Sequence, residues 1–199
     1  MTNVIIQNRK KQRRRKQIIF TAAVTATLCI GLFLFDSAQI GKEIDQYKEV
    51  PVYYNGIIYT RSHGRHYSNA GYYYGQKWQC VEYVKRFYAQ AKNHAMPDVF
   101  GNAKDFFDPT ILHGQRNESR GLIQYRNGNN VSPRPDDLLV FTDRQYGHVA
   151  IITEVSESSI VIIQQNILWG TRSELPLRVE NGNYYVGKAR VPAGWLRLE

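Results

Sequence analysis

The chain has 199 residues and a formal net charge of +9, a length that allows one domain of about 150 residues with a full hydrophobic core, plus an additional segment. Seven of the basic residues lie within residues 1–16, which contain no acidic residue. The remaining 19 basic and 17 acidic residues nearly cancel, so the composition excludes a globular part with the strongly basic surface that a nucleic-acid partner requires.

The first predicted element is a membrane-spanning helix over residues 18–35. Ile18 to Phe35 carry no charge, and a helix of this length, at about 1.5 Å per residue, crosses most of the hydrocarbon core of a bilayer. Because basic residues favour the cytoplasmic side, residues 1–17 are predicted to be a cytoplasmic tail. The rest of the chain would then lie outside the cytoplasm, on the periplasmic or cell-wall side, in a single-pass membrane protein.

A cleaved signal peptide is the alternative interpretation of the same segment. The apolar run is longer than the usual ~7–15 residues of a signal peptide, and the nearest candidate cleavage site, Asp36-Ser37-Ala38, has a carboxylate where a small residue is needed. These two features favour a retained anchor. With Cys29 in the membrane and Cys80 outside it, no intramolecular disulfide is expected.

Residues 36–50 are predicted to be a stalk that continues the membrane helix, because Ile40, Ile44 and Tyr47 recur at helix-like spacing. The globular domain is predicted over residues 51–199. Its first long element is an amphipathic helix from Gln79 to about Asn93, since apolar residues at positions 81, 84, 87, 88 and 91 follow a 3.6-residue period.

Residues 94–135 are mixed in composition, with one short helix predicted from Asn102 to Phe107. Five strand-like runs come after them, separated by polar connections typical of hairpins: Asp137–Thr142, Gly147–Val155, Ser159–Gln165, Tyr184–Val191 and Gly194–Leu198. A helix followed by antiparallel strands indicates the α+β class.

The residues that carry chemistry are a thiol and an imidazole. Cys80 lies in the first turn of the predicted helix, where backbone amides favour a thiolate, so it is the candidate nucleophile. His148 follows Gly147 at the start of a strand that would hold it rigidly, so it is the candidate general base. An orienting group for His148 is expected from the neighbouring strand, where alternation places Gln164 and Asn166 on one face and Gln165 on the other.

Metal chemistry has little support in the sequence. No set of Cys and His residues has zinc-like spacing, and only weak calcium binding by Asp136, Asp137 and Asp143 stays open. We therefore expect no metal and no cofactor.

These residues resemble those of the CHAP family, the cysteine- and histidine-dependent amidohydrolases/peptidases, and within it the amidase domain of glutathionylspermidine synthetase/amidase. The resemblance covers residues 52 to 198 and depends on four motifs: Tyr74-Gly75-Gln76-Lys77-Trp78-Gln79-Cys80-Val81-Glu82-Tyr83, Gly147-His148-Val149-Ala150-Ile151-Ile152-Thr153, Gln165-Asn166 and Gly194-Trp195. It implies a papain-like fold in which a nucleophile helix packs on an antiparallel sheet.

The resemblance also implies roles for single residues. Cys80 would be the nucleophile and His148 the base, and either the side-chain amide of Gln79 or the backbone of Cys80 would donate to the oxyanion. Asn166 would lie near the active site. The chain departs from the family pattern at Gln164, where the family has a glutamate that orients the histidine.

The sequence as a whole predicts a membrane-anchored cysteine amidase or peptidase. The predicted location favours cell-wall peptides as substrates, whereas the resemblance favours a peptide-polyamine conjugate such as glutathionylspermidine. A third interpretation, based on Gln164, is a catalytically weakened module that binds peptides.

Overall fold

A computed structural model describes residues 2–168 and 170–199. The chain divides into a unit that ends at Ile40 and a second unit that runs from Gly41 to Glu199. The first unit contains the long helix α1, Thr2–Gln39. Among the described residues, one helical segment, Lys11–Gln39, is long and apolar enough to cross a membrane, a criterion that a signal sequence near the N-terminus can also meet.

The second unit contains one α-helix and twelve strands among the described residues, which confirms the α+β class. The elements are β1 (Glu43–Tyr47), β2 (Val50–Tyr53), β3 (Arg65–Tyr67), β4 (Tyr73–Gln76), α2 (Cys80–Ala91), a 3-10 helix (Ala103–Phe106), β5 (Gln115–Asn117), β6 (Leu122–Arg126), β7 (Leu138–Phe141), β8 (His148–Val155), β9 (Ser159–Ile163), β10 (Arg172–Glu180), β11 (Asn183–Val186) and β12 (Gly194–Arg197).

Eight of these strands form one antiparallel sheet in the described part of the chain, in the order β11-β10-β9-β8-β7-β12-β6-β5. Strand β8 lies between β7 and β9, so His148 begins a strand that is paired on both sides. The pairs β1–β2 and β3–β4 form two separate hairpins.

The central strands are apolar on both faces because both faces are covered. Val149 and Ile151 of β8 belong to the cluster that contains helix α2, whereas Ala150 and Ile152 belong to a second cluster on the opposite face. Continuous apolar runs are typical of strands buried on both sides. This burial keeps β8 rigid, which fixes the backbone that carries His148.

Helix α2 packs on the first of these faces through Tyr83, Val84 and Phe87, all of which are buried. Their spacing follows the 3.6-residue period of the sequence. The packing orients the start of the helix, where Cys80 lies, toward the start of β8.

The stalk predicted over residues 36–50 is helical only as far as Gln39, where helix α1 ends, because Glu43–Tyr47 forms strand β1. Lys48 and Glu49 both have positive φ, 48° and 63°, the geometry of the tight two-residue turns that join paired strands. Strand β1 therefore folds back on β2, and the side chain of Asp45 accepts hydrogen bonds from Thr171 and Arg172.

The predicted strand set is incomplete. Strands β5 and β6 lie in the stretch that the sequence left irregular, and the nine-residue strand β10 was not predicted. Strand β10 contains Pro176 and charged residues at positions 172, 174, 178 and 180. These residues disfavour a strand by local propensity, but pairing with β9 and β11 satisfies the backbone.

Candidate active site

Cys80 is the first residue of α2 and is buried, with 8% of its surface exposed. Residue 79, which caps the helix, has extended backbone angles and makes no side-chain cap, so the first-turn N–H groups have no capping acceptor. The backbone N–H groups of Val149, Val81 and Cys80 favour the charged form of the Cys80 sulfur. Because Val149 follows His148 directly, its effect on the thiol indicates that the sulfur lies near the start of β8.

Burial raises the pKa of the Cys80 thiol and outweighs the three backbone N–H groups, which act in the opposite direction. Burial therefore opposes the thiolate that the helix N-terminus was expected to favour. The helix N-terminus does supply the expected donors, but removal of water from the charged sulfur destabilises the thiolate more than those donors stabilise it. At neutral pH the nucleophile is held as a thiol.

His148 is also buried, and its Nε2 atom lies 2.8 Å from Oε1 of Gln164. Burial is the main reason why the pKa of His148 is lowered from 6.5 to about 4, with Arg190 and Arg144 adding to the effect and the Gln164 bond opposing it. At neutral pH the imidazole is therefore uncharged and able to accept a proton.

The partners of Gln164 determine which nitrogen of His148 is basic. Nε2 of Gln164 donates to Oγ of Ser173 at 2.9 Å, so its Oε1 faces the imidazole. A carbonyl oxygen only accepts hydrogen bonds, so Nε2 of His148 carries the proton. Nδ1 of His148 is then the nitrogen with the free electron pair.

Gln164 follows the last residue of β9, and its backbone N–H donates to the carbonyl of Thr171 at 2.8 Å. Its orientation depends on Ser173, which lies in the unpredicted strand β10, so the sequence offered no signal for this contact. The structure thus joins His148 directly to Gln164, and the Cys80 sulfur is influenced by Val149, the residue that follows His148.

The side chain of Gln79 is already occupied. Its Nε2 donates to the carbonyls of Tyr59 and Arg61 at 3.2 and 3.1 Å, and its Oε1 accepts a hydrogen bond from Asn166. Both amide hydrogens are therefore used in the folded protein, which favours the backbone N–H of Cys80 over this side chain among the two oxyanion donors that the sequence suggested.

Asn166 links this side chain to a second loop. Its Oδ1 accepts a hydrogen bond from Asn55 at 2.6 Å, and Asn55 also donates to the carbonyl of Tyr59 at 2.8 Å. Asn166 therefore acts in the structure through Gln79 and Asn55, and its backbone adopts a positive φ of 65°, a conformation that asparagine tolerates better than most residues.

A groove of about 320 Å³ adjoins Gln164. It runs between the end of β2 and the segment that joins β9 to β10, and its lining includes Val52, Tyr53, Asn55, Gln164 and Leu168. An apolar lining with a few amide groups is typical of sites that bind organic ligands.

A network that the sequence analysis missed connects the two sides of the site. Glu82 lies in the first turn of α2, is fully buried and accepts hydrogen bonds from His66, Arg86 and Gln165. Glu82 and Arg86 are four residues apart in a helix that was predicted to be amphipathic, and this spacing was the available signal for an ion pair.

Comparison with known proteins gives a consistent family assignment. A model of the CHAP domain matches residues 71–166. The bifunctional glutathionylspermidine synthetase/amidase of Escherichia coli is 34% identical over 126 residues, which cover 56% of this chain and 20% of that protein. The trypanothione synthetase of Crithidia fasciculata is 33% identical over 95 residues, or 46% of this chain and 15% of that protein.

The chain thus spans a fifth or less of the length of these relatives. The matched residues 71–166 include helix α2, strand β8 and the end of β9. Cys80, His148, Gln164 and Asn166 all lie inside this range. Residues 71–166 of this chain therefore match the CHAP domain, over the segment that contains these four residues.

Proposed function

We propose that this protein is a cysteine amidase, in which Cys80 attacks an amide carbonyl and His148 transfers the proton. One observation carries the proposal: the imidazole of His148 is held at 2.8 Å by Gln164, which leaves Nδ1 basic. The next residue, Val149, has a backbone N–H that favours the charged form of the buried Cys80 thiol. A helix bearing the thiol and an antiparallel strand bearing the histidine match a papain-like arrangement. The name of the E. coli relative, a synthetase/amidase, supports the same reaction.

In the first half of the reaction, Nδ1 of His148 takes the proton from the Cys80 thiol as sulfur bonds to the carbonyl carbon of the substrate. The carbonyl oxygen becomes negatively charged, and the backbone N–H of Cys80 donates to it. When the tetrahedral intermediate collapses, the C–N bond breaks and His148 gives its proton to the departing amine. The product left on the enzyme is a thioester.

In the second half, a water molecule attacks the thioester carbon while His148 accepts one of its protons. The C–S bond then breaks, and the proton returns to the Cys80 sulfur. The released products are an acid and an amine, and the thiol and neutral imidazole are restored. Gln164 keeps Nε2 protonated throughout, although its neutral oxygen stabilises the imidazolium less than a carboxylate would.

The proposed substrate is a peptide of the cell wall. Seven basic residues within residues 1–16 precede the uncharged residues 18–35 of a helix that is long and apolar enough to cross a membrane. If this helix is retained as an anchor with its basic end in the cytoplasm, the matched domain would lie outside the cytoplasm, where peptidoglycan is the abundant amide-containing polymer of a bacterial envelope.

A second candidate substrate is a peptide-polyamine conjugate. It is supported by the E. coli relative, which is named a glutathionylspermidine synthetase/amidase. The two candidates differ in the released amine: an amino acid or peptide for the wall substrate, and a polyamine for the conjugate.

The test uses the full chain in mild detergent with purified peptidoglycan in one series and glutathionylspermidine in the other, and products are identified by mass spectrometry. Stem-peptide fragments that require both Cys80 and His148 support the wall substrate, and released spermidine with the same requirement supports the second candidate. Cys80→Ala and His148→Ala are the controls. Binding of either substrate that survives Cys80→Ala, with no turnover by the wild type, would refute the amidase and indicate a binding module.

A further inference from the structure

Gln165 makes three hydrogen bonds that join two separate parts of the candidate site. Its Oε1 accepts from the backbone N–H of Tyr53 at 2.7 Å. Its Nε2 donates to the carbonyl of Gln79 at 3.0 Å and to Oε2 of Glu82 at 2.7 Å. Only 1% of its surface is exposed, so all three bonds form away from water, where an unmade bond is costly.

Two of these bonds reach the first turn of α2 on either side of Cys80. Residue 79 precedes the nucleophile, and Glu82 follows it by two positions. Strand β9 ends just before the residue that holds His148, and Gln165 is the next residue. The same short segment therefore contacts the base through one amide and the helix of the nucleophile through the following one.

The acceptor at the far end of this connection is itself fixed. Oε1 of Glu82 accepts from Nε of Arg86 at 2.6 Å and from Nδ1 of His66 at 2.7 Å. Burial opposes ionisation of Glu82, but hydrogen bonds from His66, Arg86 and Gln165 outweigh it and lower its pKa. Glu82 is therefore held as a carboxylate that three donors keep in one position.

We propose that Gln165 and Glu82 are positioning residues, which together form a latch that sets Cys80 against His148. This inference rests on the proposed amidase function. Neither residue touches the reacting atoms. Their effect comes from geometry, because a displacement of about 1 Å between reacting groups can reduce a rate by about 100-fold.

A matched control is available in the same sheet. Gln124 of β6 is also fully buried, and its side chain also makes three hydrogen bonds, two with Asp108 and one with Asn117. Gln124→Met and Gln165→Met each replace a buried amide by an apolar chain of similar length. The two variants are expected to lose similar thermal stability, but only Gln165→Met removes the latch.

The experiment measures acylation of the full chain by 4-nitrophenyl acetate, with attachment at Cys80 verified by peptide mass spectrometry. For Gln165→Met we expect a rate about 100-fold below wild type, with little change in half-saturating ester concentration. Its dependence on pH should approach that of His148→Ala, because a displaced thiol no longer passes its proton to the imidazole. Gln124→Met should keep the wild-type profile despite its lower melting temperature.

If Gln165→Met does not fold, Gln165→Asn replaces it, since that side chain keeps the amide but is one methylene shorter. A Gln165 variant with the rate and pH profile of Gln124→Met would overturn the latch while leaving the amidase intact. Wild-type acylation that is no faster than that of His148→Ala would overturn the amidase itself, and the latch with it.

Discussion

Replacing Gln164 by glutamate tests the electrostatic description of the base. In the wild type, the imidazolium of His148 has a neutral amide oxygen as its partner at 2.8 Å, and burial lowers its pKa to about 4. Forming the imidazolium at pH 7 therefore costs about 4 kcal/mol, at 1.36 kcal/mol for each pKa unit. This charged form is the species that must arise when Cys80 loses its proton.

A carboxylate at the same place raises the pKa of a neighbouring base by about 1–3 units, which stabilises the imidazolium by about 1.4–4 kcal/mol. Gln164→Glu should therefore move the acid limb of the acylation rate from near pH 4 to between about pH 5 and 7. At pH 8, where the base is still unprotonated, the rate should increase by about 10-fold or more.

The assay is acylation of Cys80 by 4-nitrophenyl acetate from pH 4 to 9, with the fold verified by near-ultraviolet circular dichroism at each pH. Gln164→Met, which keeps the length but cannot accept the hydrogen bond, is the matched variant and should lower the rate. An acid limb that stays in place in Gln164→Glu would refute the reasoning. A rate that rises equally in both variants would also refute it.

Three further predictions concern stability. The pKa of His148 is 6.5 in the unfolded state and about 4 in the folded state. The unfolded state therefore binds more protons between these values, and about 3 kcal/mol of stability is lost as pH falls through this window. Urea unfolding of His148→Gln should lack this loss, and an unchanged slope of unfolding free energy against pH would contradict the prediction. Burial lowers the pKa of Lys85 from 10.5 to about 8. The contribution of this group to stability should therefore increase as pH rises from about 8 to 10.5, and thermal unfolding of Lys85→Met should lack this increase. Gly147 has a φ of +71°, and an added Cβ would lie 2.5 Å from the carbonyl oxygen of Phe141. Gly147→Ala should therefore reduce stability by more than the about 1–3 kcal/mol expected from backbone strain alone. Gly64→Ala, at a φ of +88° with open space around it, is the control, and equal losses of melting temperature in the two variants would refute the steric explanation.

Part of the fold could be predicted because its signals are local. Helix α2 and strand β8 are each encoded by the spacing of apolar residues along a single segment: Tyr83, Val84 and Phe87 in the helix, and Val149 and Ile151 in the strand. Strand β10 gave no such signal, since its charged residues and Pro176 contradict the local pattern and only its neighbours satisfy its backbone. The hairpin β1–β2 was missed because helical spacing at residues 40–47 is compatible with a strand once a partner is present.

The candidate reactive residues are recognisable from local sequence alone: a thiol at the start of an amphipathic helix, an imidazole at the start of an apolar strand, and amides at the end of the next strand. Their protonation depends on the folded structure, because burial depends on what surrounds a group. Burial raises the pKa of the Cys80 thiol, against the effect of the helix amides, and lowers the pKa of His148. The fold also brings Ser173 within hydrogen-bond distance of Gln164 and joins Gln165 to Glu82. These contacts link residues far apart in the chain, and the pattern of one segment contains no information about the segment that will pack against it.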